Sequence, residues 1–96
     1  SIATSYNNIG VVYDNQGKYM VALEYYRKAL TIFQNTVGEE HSNTATSYNN
    51  IGSVYFKQNK YDEALRSYNE ALTILQSVLG EDHPNTARSY NNIGTV

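Results

Sequence analysis

Two histidines, His41 and His83, are the side chains best equipped for chemistry in this sequence. A neutral imidazole can ligate a metal or pass a proton, and a carboxylate such as Glu39 or Glu81 could complete a coordination shell. Metal binding would require both histidines to turn toward one ion. Yet they hold equivalent places in two copies of one segment, so the simpler expectation is structural: each hydrogen-bonds locally and orders its own connection between helices. No glycine-rich phosphate loop is present, and no nucleophile has a base and an orienting group at recognisable spacing. Glu24, Asp62, Glu63 and Glu70 read as solvated helix surface. The expectation is therefore no enzyme, no metal and no cofactor.

The totals narrow the partners. Seven basic residues against nine acidic ones give a net charge of −2, which offers nucleic acid no electrostatic footprint. Ten tyrosines could stack on bases, but most of them fall at packing positions. The absence of cysteine excludes disulfides and thiolate metal clusters. There is no apolar run of about 18 residues and no signal-peptide pattern, so neither a membrane span nor export is expected. A cytoplasmic setting follows by elimination.

What must position any functional residue is a repeat. Thr-Ser-Tyr-Asn-Asn-Ile-Gly begins at Thr4 and returns at Thr46; with arginine leading, it returns at Arg88, a period of 42. Repetition at such a period predicts stacked units that bury together what none can bury alone. Within one unit, Tyr6, Ile9, Gly10 and Tyr13 mark one face of an α-helix. Asn15, Gln16, Gly17 and Lys18 break the pattern, and a second stripe follows: Tyr19, Ala22, Leu23, Tyr26, Ala29, Leu30 and Phe33. Val37 and Gly38 are expected to close that helix. The second unit repeats the scheme with Tyr48, Ile51, Gly52 and Tyr55, then Tyr61, Ala64, Leu65, Tyr68, Ala71, Leu72 and Leu75, ending at Gly80. Gly10, Gly52 and Gly94 suggest close helix crossings, since a helix-interior glycine costs roughly 0.5–1 kcal/mol against alanine. Pro84, preceded by Glu81 and Asp82, suits the start of a helix.

The sequence thus predicts an all-α array with repeat 1 at 1–42, repeat 2 at 43–84, and the first helix of a third at 85–96. Opening without methionine and stopping inside a motif, it reads as part of a longer array.

Tyr6, Ile9, Gly10, Tyr13, Gly17, Tyr19, Ala22, Tyr26, Ala29 and Leu30 follow the signature order of the tetratricopeptide repeat, which the chain resembles over nearly its whole length. Tyr6 stands in for that signature's tryptophan and Tyr26 for its phenylalanine. The unit is about eight residues longer than the usual 34, and the proline expected soon after Leu30 is missing. In that, in its Asn-Asn before Ile-Gly and in its Gly-Glu-Glu/Asp-His linker, it is similar to the 42-residue repeats of kinesin light chains. The close agreement between the two periods also suits the near-identical arrays of microbial proteins. The resemblance implies a right-handed solenoid of helix-turn-helix hairpins whose first helices line a concave surface.

On that surface the resemblance places the stripe opposite Tyr6 and Tyr13: Thr4, Asn8, Val11 and Asn15. Its equivalents are Thr46, Asn50, Ser53 and Lys57, then Arg88, Asn92 and Thr95. Asn8, Asn50 and Asn92 would form a ladder able to donate to and accept from the main chain of an extended peptide, or else would serve structure alone. Asn7, Asn49 and Asn91 sit further to the side, where they could hold helices together. Positions that vary between units, among them Asp14/Phe56 and Asn15/Lys57, would supply specificity. Phe56 would either anchor a ligand side chain or pack against the following unit. The favoured function is a scaffold that binds a protein or peptide. The alternative is a structural array that self-associates through its ends, by stacking or by exchanging a hairpin.

Overall fold

The computed structural model describes residues 1–36 and 41–96. The expected helix closure at Val37 and Gly38, and the carboxylate of Glu39, lie outside the described residues. Five α-helices follow in order: α1 (Ile2–Asn15), α2 (Tyr19–Thr36), α3 (Ser42–Lys57), α4 (Tyr61–Leu79) and α5 (Pro84–Thr95). No strand occurs among the described residues. The helices α1 and α2 form one hairpin and α3 and α4 the next, while α2 meets α3 and α4 meets α5. The all-α repeat architecture expected from the 42-residue period is the one observed.

Local chemistry sets the helix ends. The Ser1 hydroxyl accepts from the Thr4 backbone N–H at 3.1 Å and caps α1. His41 Nδ1 accepts from the Asn43 N–H at 3.0 Å, and His83 Nδ1 accepts from the Asn85 N–H at 3.1 Å. Each histidine thus caps the helix that follows it, the local role anticipated for it. Pro84 opens α5, where a missing N–H leaves nothing unpaired. Both hairpin turns pass through a left-handed residue, Gly17 at φ +76° and Asn59 at φ +63°. Asparagine is among the few residues with a side chain that visit this region routinely. The following amides, of Lys18 and Lys60, donate to the carbonyls of Tyr13 and Tyr55, both at 2.9 Å.

Apolar side chains then tie the layers. Ala3, Ala29 and Phe33 join α1 to α2; Ala22, Leu23, Tyr26, Ile51 and Val54 join α2 to α3; Ala45, Ala71, Ile74 and Leu75 join α3 to α4. The glycines mark where backbones approach an aromatic ring. A Cβ on Gly10 would lie 2.6 Å from Tyr26 Cε1, and one on Gly52 would lie 2.8 Å from Tyr68 Cδ1 and 3.3 Å from the Ala64 carbonyl oxygen. Gly94 departs from the expectation: nothing lies within 4 Å of its Cβ position, because among the described residues no helix packs on α5 as α4 packs on α3.

Two tyrosines carry a recurring bond between layers. Gln34 of α2 donates to the Tyr48 hydroxyl of α3 at 3.3 Å, and Gln76 of α4 donates to the Tyr90 hydroxyl of α5 at 2.6 Å. Both donors and both acceptors are one period apart.

Candidate binding site

A cavity of about 290 Å³ opens between α3 and α5, floored by α4. From α3 it receives Thr46, Asn49, Asn50 and Ser53; from α5, Asn85, Arg88 and Asn92; from α4, Tyr68 and Leu75. Helical spacing explains the convergence. Thr46, Asn50 and Ser53 recur at three and four residues along one side of α3, as do Asn85, Arg88 and Asn92 along α5. Packing both helices against α4 turns those sides toward one space.

The lining is polar and asymmetric in charge. Arg88 is its one ionic side chain among the described residues, surrounded by amides and hydroxyls that can both donate and accept. Ser53 hydrogen-bonds the Tyr68 hydroxyl, yet burial of that ring outweighs the bond and raises the Tyr68 pKa above its ordinary value. Asn49 keeps its side-chain oxygen buried without a hydrogen-bond partner, as does its equivalent Asn7. An unmet buried acceptor costs about 1–3 kcal/mol, so a partner N–H reaching Asn49 would remove a penalty. Such a lining can hold main-chain amides and a carboxylate. Among the described residues no group of three His, Asp or Glu side chains is placed to hold a metal ion.

Five of the residues anticipated from sequence therefore meet here: Thr46, Asn50, Ser53, Arg88 and Asn92. Thr4, Asn8, Val11 and Asn15 are exposed on α1 but do not line the cavity. Two further residues are engaged elsewhere. The half-buried Phe56 packs its ring on Tyr61 of its own hairpin, with centroids 5.7 Å apart, rather than on a following unit. Lys57 reaches back to Asp14 at 2.9 Å and joins the end of α3 to the end of α1. Asp14 also accepts from the Tyr26 hydroxyl at 3.4 Å. Burial, followed by the Asp14 charge and this bond, pushes the Tyr26 pKa up.

Sequence reasoning missed Asn85, which lies one turn before Arg88 and could have been found by extending the stripe backward. Tyr68 and Leu75 gave no such signal, since their spacing marks them as core. A larger depression of about 470 Å³ surrounds Tyr6 and the α2 residues Glu24, Arg27, Lys28, Thr31 and Ile32. It mixes charges of both signs on one helix, and Lys28 already sits over the Tyr6 and Tyr25 rings at 5.6 and 5.2 Å. It lacks the polar groups converging from two helices that distinguish the α3–α5 cavity.

Stacked helical hairpins with a polar space between successive first helices define a repeat scaffold. The family model for the tetratricopeptide repeat matches residues 1–77 and again 48–96, and the chain belongs to that family. No curated protein matches the chain. Among solved structures it is similar to BtubC (BKLC) from P. vanneervenii, a kinesin light chain-like repeat protein, at 32% identity and a TM-score of 0.88. That similarity covers 97% of this chain and 37% of the BtubC chain, so the chain spans well under half the length of that relative. Tetratricopeptide repeats generally mediate protein–protein interaction and are typically non-enzymatic. Among the described residues no helix is long and apolar enough to cross a membrane.

Proposed function

We propose that this chain is a non-enzymatic interaction module, needing no cofactor, that holds an extended segment of a partner protein in the cavity between α3 and α5. The observation that carries this reading is the convergence of Asn50 and Ser53 with Arg88 and Asn92 on one space. Asn50 and Asn92 supply paired donors and acceptors for main chain. Arg88, with no ion pair among the described residues, favours a partner bearing a carboxylate opposite it. Repeats at 1–42, 43–84 and 85–96 would act as units of one cytoplasmic array. Thr4, Asn8, Val11 and Asn15 would continue the surface along α1.

A displayed library of random, mainly acidic ten-residue peptides, selected against the full chain, supplies the probe. Asn50→Ala is expected to weaken a selected peptide by about 1–2 kcal/mol, the scale of a hydrogen bond lost from a buried group. Its melting temperature should stay near that of the parent, and Arg88→Gln should remove the preference for acidic residues. A large stability loss in Asn50→Ala, with binding per folded molecule intact, would assign the asparagine to structure and overturn the reading.

A further inference from the structure

The space between α3 and α5 has a counterpart one step along the array, between α1 and α3. Most residues that line the former recur unchanged one period earlier: Asn49, Asn50 and Tyr68 answer to Asn7, Asn8 and Tyr26. Leu75 answers to Phe33, apolar for apolar. The chemistry changes at two positions, where Ser53 answers to Val11 and Arg88 to Thr46. The α1–α3 junction thus offers a hydrocarbon side chain and a hydroxyl where the α3–α5 cavity offers a hydroxyl and a guanidinium.

Both positions stay open inside the stack. Ser53 is only half-buried and Thr46 is exposed, although α3 has α1 and α2 on one side of it and α5 on the other. The neighbouring hairpin buries the next residue instead, Val54 at 0%. Val11 holds the place of Ser53, so its 41% exposure belongs to a place that an array leaves open. The valine also alters the tyrosine beside it. Ser53 hydrogen-bonds the Tyr68 hydroxyl, but valine has no such group, and the Tyr26 hydroxyl donates to Asp14 at 3.4 Å instead. Asp14 in turn pairs with Lys57 at 2.9 Å, which occupies the charges at that end of the junction.

We infer that the groove reads two unlike residues of one partner segment: an apolar side chain against Val11 at the α1–α3 junction, and a carboxylate against Arg88 at the α3–α5 junction. This rests on the peptide-binding groove proposed above and gives it a sequence preference. Desolvation sets the assignment. A charged partner residue at Val11 would lose water and gain no counter-charge, whereas an apolar one removes hydrocarbon from water on both sides. At Arg88 the balance reverses, because a carboxylate meets the guanidinium through charge-assisted hydrogen bonds. Attraction at one junction and penalty at the other together give specificity. The asparagines common to both junctions hold main chain at each step, so the two side chains lie at a fixed separation along the segment.

Selection of an unbiased displayed library of ten-residue peptides on the full chain tests this, with circular dichroism recording the helicity of each variant. Peptides selected on the parent should pair an apolar residue with an acidic one at constant separation. Val11→Ser should bind such a peptide about fivefold more weakly with helicity unchanged. Should Val11→Ser lose helicity, Val11→Thr, which keeps the side chain's shape, takes its place. Fresh selection on the variant should retain the acidic residue and lose the apolar one. Val11→Ser combined with Thr46→Arg gives the first junction the residues of the second, and should select a second acidic residue where the apolar one stood. Binding indifferent to Val11→Ser, but weakened by Asn50→Ala and Arg88→Gln, overturns this inference alone and leaves the groove standing. So does an exchanged variant whose peptides keep the apolar residue. A parent that selects no peptide overturns both.

Discussion

Ile9 and Ile51 occupy the same place in the repeated motif, yet Ile9 is 38% exposed and Ile51 only 5%. Their hairpins are built alike, each with a glycine against a tyrosine ring and a left-handed residue in the turn. What separates them is the layer beneath. Ile51 is covered by Ala22, Leu23 and Tyr26 of the preceding hairpin, and no described residue covers Ile9 in that way. Burial in a stacked array is thus set by the neighbouring unit as much as by the residue, which is why such arrays gain stability from interfaces between repeats.

The sharpest way to break this comparison is to truncate both isoleucines. Ile51→Ala should cost about 2–5 kcal/mol, the range for a core isoleucine whose cavity cannot fully collapse. Ile9→Ala, on an exposed face, should stay near the surface range of about 0.5 kcal/mol. Urea unfolding of the two variants measures the difference directly. Equal losses would mean that the α1 face is covered in solution.

A second contrast sets Gly52 against Gly94. Gly52→Ala places a methyl 2.8 Å from the Tyr68 ring, and overpacking of this kind costs about 1–3 kcal/mol. Gly94→Ala meets open space and should stabilise α5 by about 0.5–1 kcal/mol through helix propensity. Thermal unfolding of the pair separates a crossing glycine from one that merely shares its motif. A loss of stability in Gly94→Ala would show that α5 is crossed by another helix in solution.

Much of this architecture is legible in one dimension. The stripes from Tyr6 to Tyr13 and from Tyr19 to Phe33 fall in α1 and α2, and their equivalents fall in α3 and α4. Thr46, Asn50 and Ser53, with Arg88 and Asn92, were identifiable because one helix face repeats every 42 residues. What escapes is whatever depends on a neighbour. The spacing of Gly94 equals that of Gly52, and what distinguishes them is that Tyr68 and Ala64 of α4 meet Gly52 while no described residue comes within 4 Å of the Gly94 Cβ position. Helical spacing sets Asn49 to the side of the stripe, yet it lines the cavity with an unmet oxygen. The engagement of Lys57 also escaped, because its partner lies 43 residues earlier in sequence.

That ion pair gives the smallest expected effect and the finest test of how the two hairpins differ. Asp14 joins Lys57 and the Tyr26 hydroxyl in the first unit; its equivalent is Phe56, and Ser53 meets the Tyr68 hydroxyl instead. The Lys57 side chain is 40% exposed, so the pair is discounted to the range of surface ion pairs, about 0.2–1 kcal/mol. Asp14→Asn should lose no more than that, and added salt should shrink the difference. The tyrosines give a second readout. A pKa raised in the folded state favours the neutral hydroxyl, so this contribution is intact below the ordinary tyrosine value of about 10 and fades as pH rises beyond it. Asp14→Asn removes a negative charge beside Tyr26 and should bring its ionisation to lower pH, still above the ordinary value because the ring remains buried. Tyr68 has no carboxylate at that place and should not move. Ultraviolet titration of Asp14→Asn with either tyrosine replaced by phenylalanine assigns the two ionisations. A shift in Tyr68, or none in Tyr26, would mean that Asp14 does not face the first-unit tyrosine in solution.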